Sequence, residues 1–425
     1  MKKKWFRLDN AAKIYPAAAS RTWSSVFRLS AETDAEADAS VLQKALDDVI
    51  PRFPTVNLRI KTGFFWMYLE EVQHPVTVRE DSGHPCLRFH PGEDHGHLLR
   101  VSVYRNRINV EMSHCLSDGG GALVFMKTLL ARYFELKGEK VLYDHGALSL
   151  CDAPSAEEAE DTFLKMPLPP VRGKRTLGTA FHYPGKKDAP HTLRLISARL
   201  DPEQLRAKAK EAGVSINDYL TAVFIYCGCR YQEEHIPNRK RMLPVRIQVP
   251  VNLRSLYPSR TLRNFSYFVS PEADPRLGKY TFEEILKKTN AYIRYYLDPK
   301  MLFACVSGNV RDEKNLLLRL TPFPLKRAII SLVYRVMGDR TETADFSNLG
   351  RVELPTGVQE HVTEMEAVMG ASLTPYCDAA LITCSGVARL TFTRNMKEAD
   401  MAREVLSFLA EKGISVTVRS NREDE

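Results

Sequence analysis

Apolar positions along the chain alternate between two periods, about 3.6 and about 2 residues, and each change of period marks an element boundary. Ala37 to Val49 sets Val41, Leu42, Ala45, Leu46 and Val49 at helical spacing, and strand-like pieces follow at Thr55 to Ile60, Phe64 to Glu70 and Leu98 to Tyr104. Asn106 closes a short turn, after which Ile108 to Met112 alternates with Asn109 and Glu111 as a half-buried strand does. Beyond the polar, glycine-rich stretch Ser113 to Gly121 the period lengthens again. Leu123, Met126, Leu130 and Phe134 recur every three or four residues and predict an amphipathic helix that stops before Gly138.

From Cys151 to Pro190 the pattern gives way to prolines (Pro154, Pro167, Pro169, Pro170, Pro184, Pro190), with an acidic patch Glu157 to Asp161 and a basic one Arg172 to Arg175; this is the expected crossover. The second half restarts with a strand, His191 to Leu200, and a helix with Asp201 as N-cap, Pro202 at its first position and Gly213 past its end. Ser215 with Asp218 reads as a capping box for the apolar helix Ile216 to Tyr231, and Thr281 with Glu284 opens another that runs to about Tyr296. Glu360 to Val368, Ala379 to Cys384 and Val387 to Thr393 read as an antiparallel meander, closed by a helix Glu398 to Glu411, a strand Ile414 to Arg419 and a polar tail. No short repeat is visible. With 425 residues the chain exceeds what one core usually serves, so two α/β units packed side by side are expected.

Composition narrows the class little further. Lys plus Arg number 60 against 52 Asp plus Glu, and a net charge of +8 spread over this length does not call for nucleic acid. The eight cysteines include no C-x-x-C pair, which points to a reducing, cytoplasmic setting. Met1 is followed by three lysines, but Arg7, Asp9 and Lys13 occupy the place of an apolar signal core, and no uncharged run is long enough to span a bilayer.

The stretch Glu111-Met-Ser-His114-Cys-Leu-Ser-Asp118-Gly119-Gly120-Gly121 carries the candidate chemistry. A histidine at a strand end before a glycine-rich turn is exposed to a substrate, and its near-neutral titration suits a general base. Asp118 either holds the ring or braces the turn through another partner, and the glycines permit left-handed or crowded backbone. A strand-end histidine beside an Asx-turn accounts for the same letters without catalysis.

His114 to Gly119 resembles the H-x-x-x-D-G signature of the superfamily of chloramphenicol acetyltransferases and nonribosomal-peptide condensation domains, which includes bacterial alcohol acetyltransferases. Four other segments match in order: Ala45 to Pro54 with its R-x-P turn, Val214 to Val223, Pro250-Val-Asn-Leu-Arg254, and Asp345-Phe-Ser-Asn-Leu-Gly350. The resemblance implies an α/β fold of two chloramphenicol-acetyltransferase-like domains, each a mixed sheet flanked by helices, with a tunnel between them. It implies a division into 1–165, a linker 166–190, and 191–425. His114 is then the general base that deprotonates an alcohol or amine as it attacks an acyl-CoA thioester. Acyl-CoA is a cosubstrate, with no bound cofactor and no metal. Asp118 and Gly119 shape the loop, Arg254 clamps Asp118 bidentately from the other domain, and Ser347 and Asn348 are oxyanion-donor or tunnel candidates.

Ser113 stands where condensation domains and wax-ester synthases carry a first histidine, which argues for a free transferase over a condensation domain. A carrier protein as acyl donor, or an inactive binding protein of the same fold, are the competing readings. Cys115 is expected to be buried filler, since neighbours on extended backbone point to opposite sides. His95-Gly-His97 reads as a polar hairpin loop, and Cys227 and Cys229 as core. Pro324 to Met337 reads as a domain-packing helix with Lys326, Arg327 and Arg335 facing water, the alternative being a basic amphipathic helix that touches a membrane or flanks a lipid-entry tunnel, so membrane contact is not the expectation.

Overall fold

The computed structural model describes residues 4–18, 24–173, 178–189, 192–337, 340–370 and 376–422. Strand Arg107–Ser113 is buried almost throughout, because it lies at the centre of a five-stranded sheet. The order across that sheet is Val362–Val368, Val26–Thr33, Arg107–Ser113, Leu99–Tyr104 and Val78–Glu80, antiparallel except for the last pair. Helices Ala39–Val49 and Gly119–Leu136 pack against each other over it. Leu42, Ala45, Leu46 and Val49 face the core, and the Asp38 carboxylate caps the first turn by accepting from the Ser40 and Val41 amides. Each buried leucine contributes about 1.5–3 kcal/mol by leaving water.

The second sheet follows the order Ser266–Val269, Val245–Asn252, Ala344–Arg351, Cys377–Cys384, Val387–Arg394, Arg194–Leu200 and Val416–Ser420, with Glu272–Ala273 also paired on Val245–Asn252. Ala344–Arg351 is parallel to both its neighbours and the other pairs are antiparallel. Helices Pro202–Glu211, Ile216–His235, Phe282–Tyr296 and Asp400–Glu411 complete its core. A small third sheet joins Trp5–Arg7 to the hairpin Leu58–Thr62 and Met67–Glu71, whose strands begin three residues later than the periodicity predicts. Among the described residues no helix is long and apolar enough to cross a membrane.

Four expectations are revised. The meander over 360–393 does not form: Val387–Arg394 folds back on Cys377–Cys384, but Val362–Val368 crosses to the first sheet and pairs with Val26–Thr33. Its buried acids explain the crossing. Glu364 meets Arg199 and Arg389 of the second sheet, and Glu366 accepts from Ser197 and Thr391 of that sheet and from Arg107 of its own. The Ser215 capping box is half formed: Ser215 Oγ accepts the Asp218 amide, while the Asp218 carboxylate accepts from Asn290 and ties two helices together. The acidic patch 157–161 is not a solvated linker, since Glu158 is buried and takes a two-pronged bond from Arg52 of the R-x-P turn. Helix Phe323–Met337 exposes Arg327, whereas Lys326 turns inward beneath the ring of Trp66. Residues 174–177 and 190–191 of the expected crossover and strand start lie outside the described residues.

Candidate active site

His114 follows directly on strand Arg107–Ser113, and its amide still donates to the Ser25 carbonyl at 2.7 Å, as the ladder would continue. The chain then turns, with the Leu116 amide bonded to the Ser113 carbonyl, and helix Gly119–Leu136 begins. The imidazole lies between two rings: Tyr15 stacks on it at 5.0 Å and 20°, and Phe27 tilts against it at 4.5 Å. Its Nδ1 is closed off from solvent and has no hydrogen-bond partner. Burial pushes the imidazole below its ordinary value, and the charge of Asp118, with hydrogen bonding from the Asn264 side chain and the Ser117 backbone, counters only part of that shift. At neutral pH the ring is therefore uncharged and able to accept a proton.

Asp118 is not bonded to the histidine. Its Oδ1 caps the helix by accepting the Gly121 amide at 3.0 Å, and its Oδ2 accepts the Phe265 amide and Arg254 Nη1, both at 2.8 Å. The clamp from Arg254 is a single bond, not the bidentate pair expected. The other guanidinium donors reach the backbone carbonyls of Thr261, at 3.0 Å through Nε, and Arg263, through Nη2. One arginine thereby holds the loop 252–263 and the carboxylate together.

The three glycines serve close approach. None has a positive φ, but a Cβ on Gly119 would lie 2.8 Å from Leu349 Cδ2, and one on Gly121 would lie 2.1 Å from the Leu262 carbonyl oxygen. Both obstacles come from the second half of the chain. Ser347 and Asn348 lie on strand Ala344–Arg351, where Asn348 Oδ1 accepts the Gly350 amide at 2.9 Å across a bulge, and Gly350 adopts φ +73°. Leu349, their neighbour, is the residue that reaches Gly119.

Sequence reasoning missed the N-terminal contribution. Asn264 donates to both the His114 carbonyl, at 2.8 Å, and the fully buried Asp9, at 3.1 Å, so the segment bearing Tyr15 is tied to the histidine loop. Burial raises the Asp9 carboxyl above its ordinary range, with Arg263 opposing. No periodic pattern signals Asp9, Tyr15 or Asn264, because each meets the histidine only through the tertiary fold. Cys115 is buried, and burial pushes its thiol up to about 12. His95 stacks on His74, and the described residues hold no group of three metal-binding side chains.

No family model and no curated protein matches the chain. Its fold is nevertheless that of the two-domain α/β structures formed by acyltransferases and condensation domains. TRI101 from F. sporotrichioides, complexed with coenzyme A and T-2, shares 13% identity at a TM-score of 0.62, covering 99% of this chain and 100% of that one. Polyketide synthase associated protein 5 from Mycobacterium tuberculosis shares 15% at 0.60, covering 96% of each chain. The first condensation domain of the CDA synthetase shares 16% at 0.59, again over 96% of each. The likeness is one of fold.

Proposed function

We propose that this chain is an acyltransferase that moves an acyl group from coenzyme A to an alcohol or amine, with His114 as general base. The observation that carries the reading is a strand-end histidine, held uncharged by burial, on a loop that Arg254 of the other half of the chain braces through Asp118. The fold shared with a coenzyme A complex supports the donor.

In this mechanism the imidazole takes the proton from the acceptor O–H or N–H while the freed lone pair attacks the thioester carbonyl carbon. The tetrahedral oxyanion is stabilised by hydrogen-bond donors, for which the Asn348 amide and Ser347 hydroxyl are candidates. Collapse breaks the carbon–sulfur bond, and the departing thiolate recovers the proton from the imidazolium. General-base assistance of this kind is worth about 10²–10⁴ in rate. Asp118 and Arg254 orient the loop and take no proton. In this reading 1–165 and 191–425 form the two domains about a linker 166–190, in a cytoplasmic protein, with strand Val362–Val368 given back to the first.

The test is release of free thiol from acetyl- and longer acyl-CoA in the presence of mixed alcohols and amines. His114→Ala is expected to slow it by about 10²–10⁴, while Cys115→Ala leaves it near wild type. Equal rates for wild type and His114→Ala would remove the assignment. A carrier-bound acyl thioester is the second donor to try, because condensation domains share the fold.

A further inference from the structure

Large apolar side chains gather at one place on the surface. The turn of hairpin Leu58–Thr62/Met67–Glu71 carries Phe64, 72% exposed, and Phe65. Beside it the short helix Leu316–Leu320 presents Leu316, Leu317 (79% exposed) and Leu320, and helix Phe323–Met337 presents Leu325 and Ile329 one turn apart. Phe64, Leu316, Leu317 and Leu320, each more than half exposed on a hairpin tip or helix surface, stand out into solvent, while Phe65 lines the edge of a cavity. The cluster is also held firmly in place. The Phe323 amide donates to the Phe64 carbonyl at 2.9 Å, Lys326 Nζ donates to the Phe65 carbonyl at 3.0 Å, and the same ammonium sits 3.4 Å from the centre of the Trp66 ring.

The charges around it have one sign to spare. Glu313 is paired with Lys13 and Asp312 with Arg172, whereas Arg319 and Arg327 are exposed and have no acidic partner among the described residues. A cavity of about 610 Å³ opens among these groups, lined by Trp5, Lys13, Trp66, Tyr68 and Arg319. Protruding leucine and phenylalanine, flanking tryptophan and tyrosine, and unpaired arginine form the combination that an anionic bilayer surface takes up. The apolar tips enter the acyl boundary, the amphipathic rings sit at headgroup depth, and the cations meet lipid phosphates.

We propose that this face docks the protein peripherally on anionic phospholipid membranes, with Phe64, Leu316, Leu317 and Leu320 as the inserting residues and Arg319 and Arg327 as the electrostatic contacts. In this proposal the segment takes the membrane-touching alternative in place of the domain-packing one. It stands on observations separate from the transferase reading, and either one survives failure of the other.

The experiment is cosedimentation of the full chain with vesicles of phosphatidylcholine alone and of phosphatidylcholine mixed with phosphatidylglycerol, at low salt. Wild type is expected to pellet with the mixed vesicles only, and to be released at about 1 M salt, where the screening length falls to about 3 Å. The variant Phe64→Ser/Leu317→Ser should lose at least about tenfold in partitioning, with an unchanged circular dichroism melt and unchanged thiol release from acyl-CoA. A charge variant, Arg319→Gln/Arg327→Gln, should lose the preference for phosphatidylglycerol. Failure of wild type to pellet with either vesicle, or equal pelleting of wild type and both variants, would overturn the proposal. So would capture of an acyl carrier protein by this face with no vesicle binding.

Discussion

Under the proposed mechanism, the depressed imidazole of His114 sets where the acid limb of activity falls. Burial holds His114 neutral in the folded chain, so kcat/KM is expected to persist on acidification to below about pH 6.5, the ordinary histidine value, and to fail only when the ring finally charges. The same shift has a stability counterpart. A histidine with lowered folded pKa lends stability above its unfolded value, and loses it as pH falls from about 6.5 through the folded one. His114→Gln should therefore flatten the fall in urea midpoint between pH 7 and pH 5, read by equilibrium unfolding. Asp118 and Arg254 form a second unit at this scale. Asp118→Asn weakens bonds to a charged acceptor and is expected to cost about 1.5–3 kcal/mol, with turnover lost through a misplaced loop. Because the two residues share one bond, Asp118→Asn and Arg254→Ala should be non-additive in a double-mutant cycle; strict additivity, or an intact loop with no turnover and an unmoved imidazole titration, would refute the bracing role. His114, Asp118 and Arg254 were legible because short motifs carry them. Tyr15 and Asn264 were not, since stacking on a ring or bridging two carbonyl-side oxygens leaves no mark in local spacing.

At the scale of elements, the helix Gly119–Leu136 depends on having no side chains at its start. A methyl on Gly121 would collide with backbone at Leu262 and with Ser117 Oγ, neither of which yields as a flexible tip would. Gly121→Ala is expected to destabilise by about 3 kcal/mol, measured by urea unfolding, whereas Gly120→Ala, whose nearest obstacle is the end of Arg254 at 3.3 Å, should cost far less. Helix caps at Asp201 and Thr281 could be read from the chain because capping is local chemistry. The partner of strand Val362–Val368 could not. Its alternating Glu364 and Glu366 look like a solvent face, yet both are buried against arginines more than a hundred residues away in sequence. Glu158 escaped for the same reason: an acidic run looks solvated until its arginine is known.

For the whole molecule, the exchanged strand makes the two sheets one cooperative structure. Calorimetry is expected to give a single transition, and two separated transitions would contradict it. Burial disfavours charge on Glu364, but its bonds to Arg199 and the charge of Arg389 outweigh that and hold the carboxyl below its ordinary range. Glu364→Gln leaves two guanidinium groups short of their counter-charge, and should lower the shared transition by about 3–5 kcal/mol. Two α/β units could be foreseen from period and length, while their interlocking belongs to long-range pairing that no local window contains. The exchange also sets a timetable during translation. Val26–Thr33 is made more than three hundred residues before the strand that covers its outer edge, at 362–368. At about 5–20 residues per second, that edge waits roughly half a minute with its backbone donors and acceptors open. Val26–Thr33 is thus the segment a nascent-chain chaperone has most reason to shield.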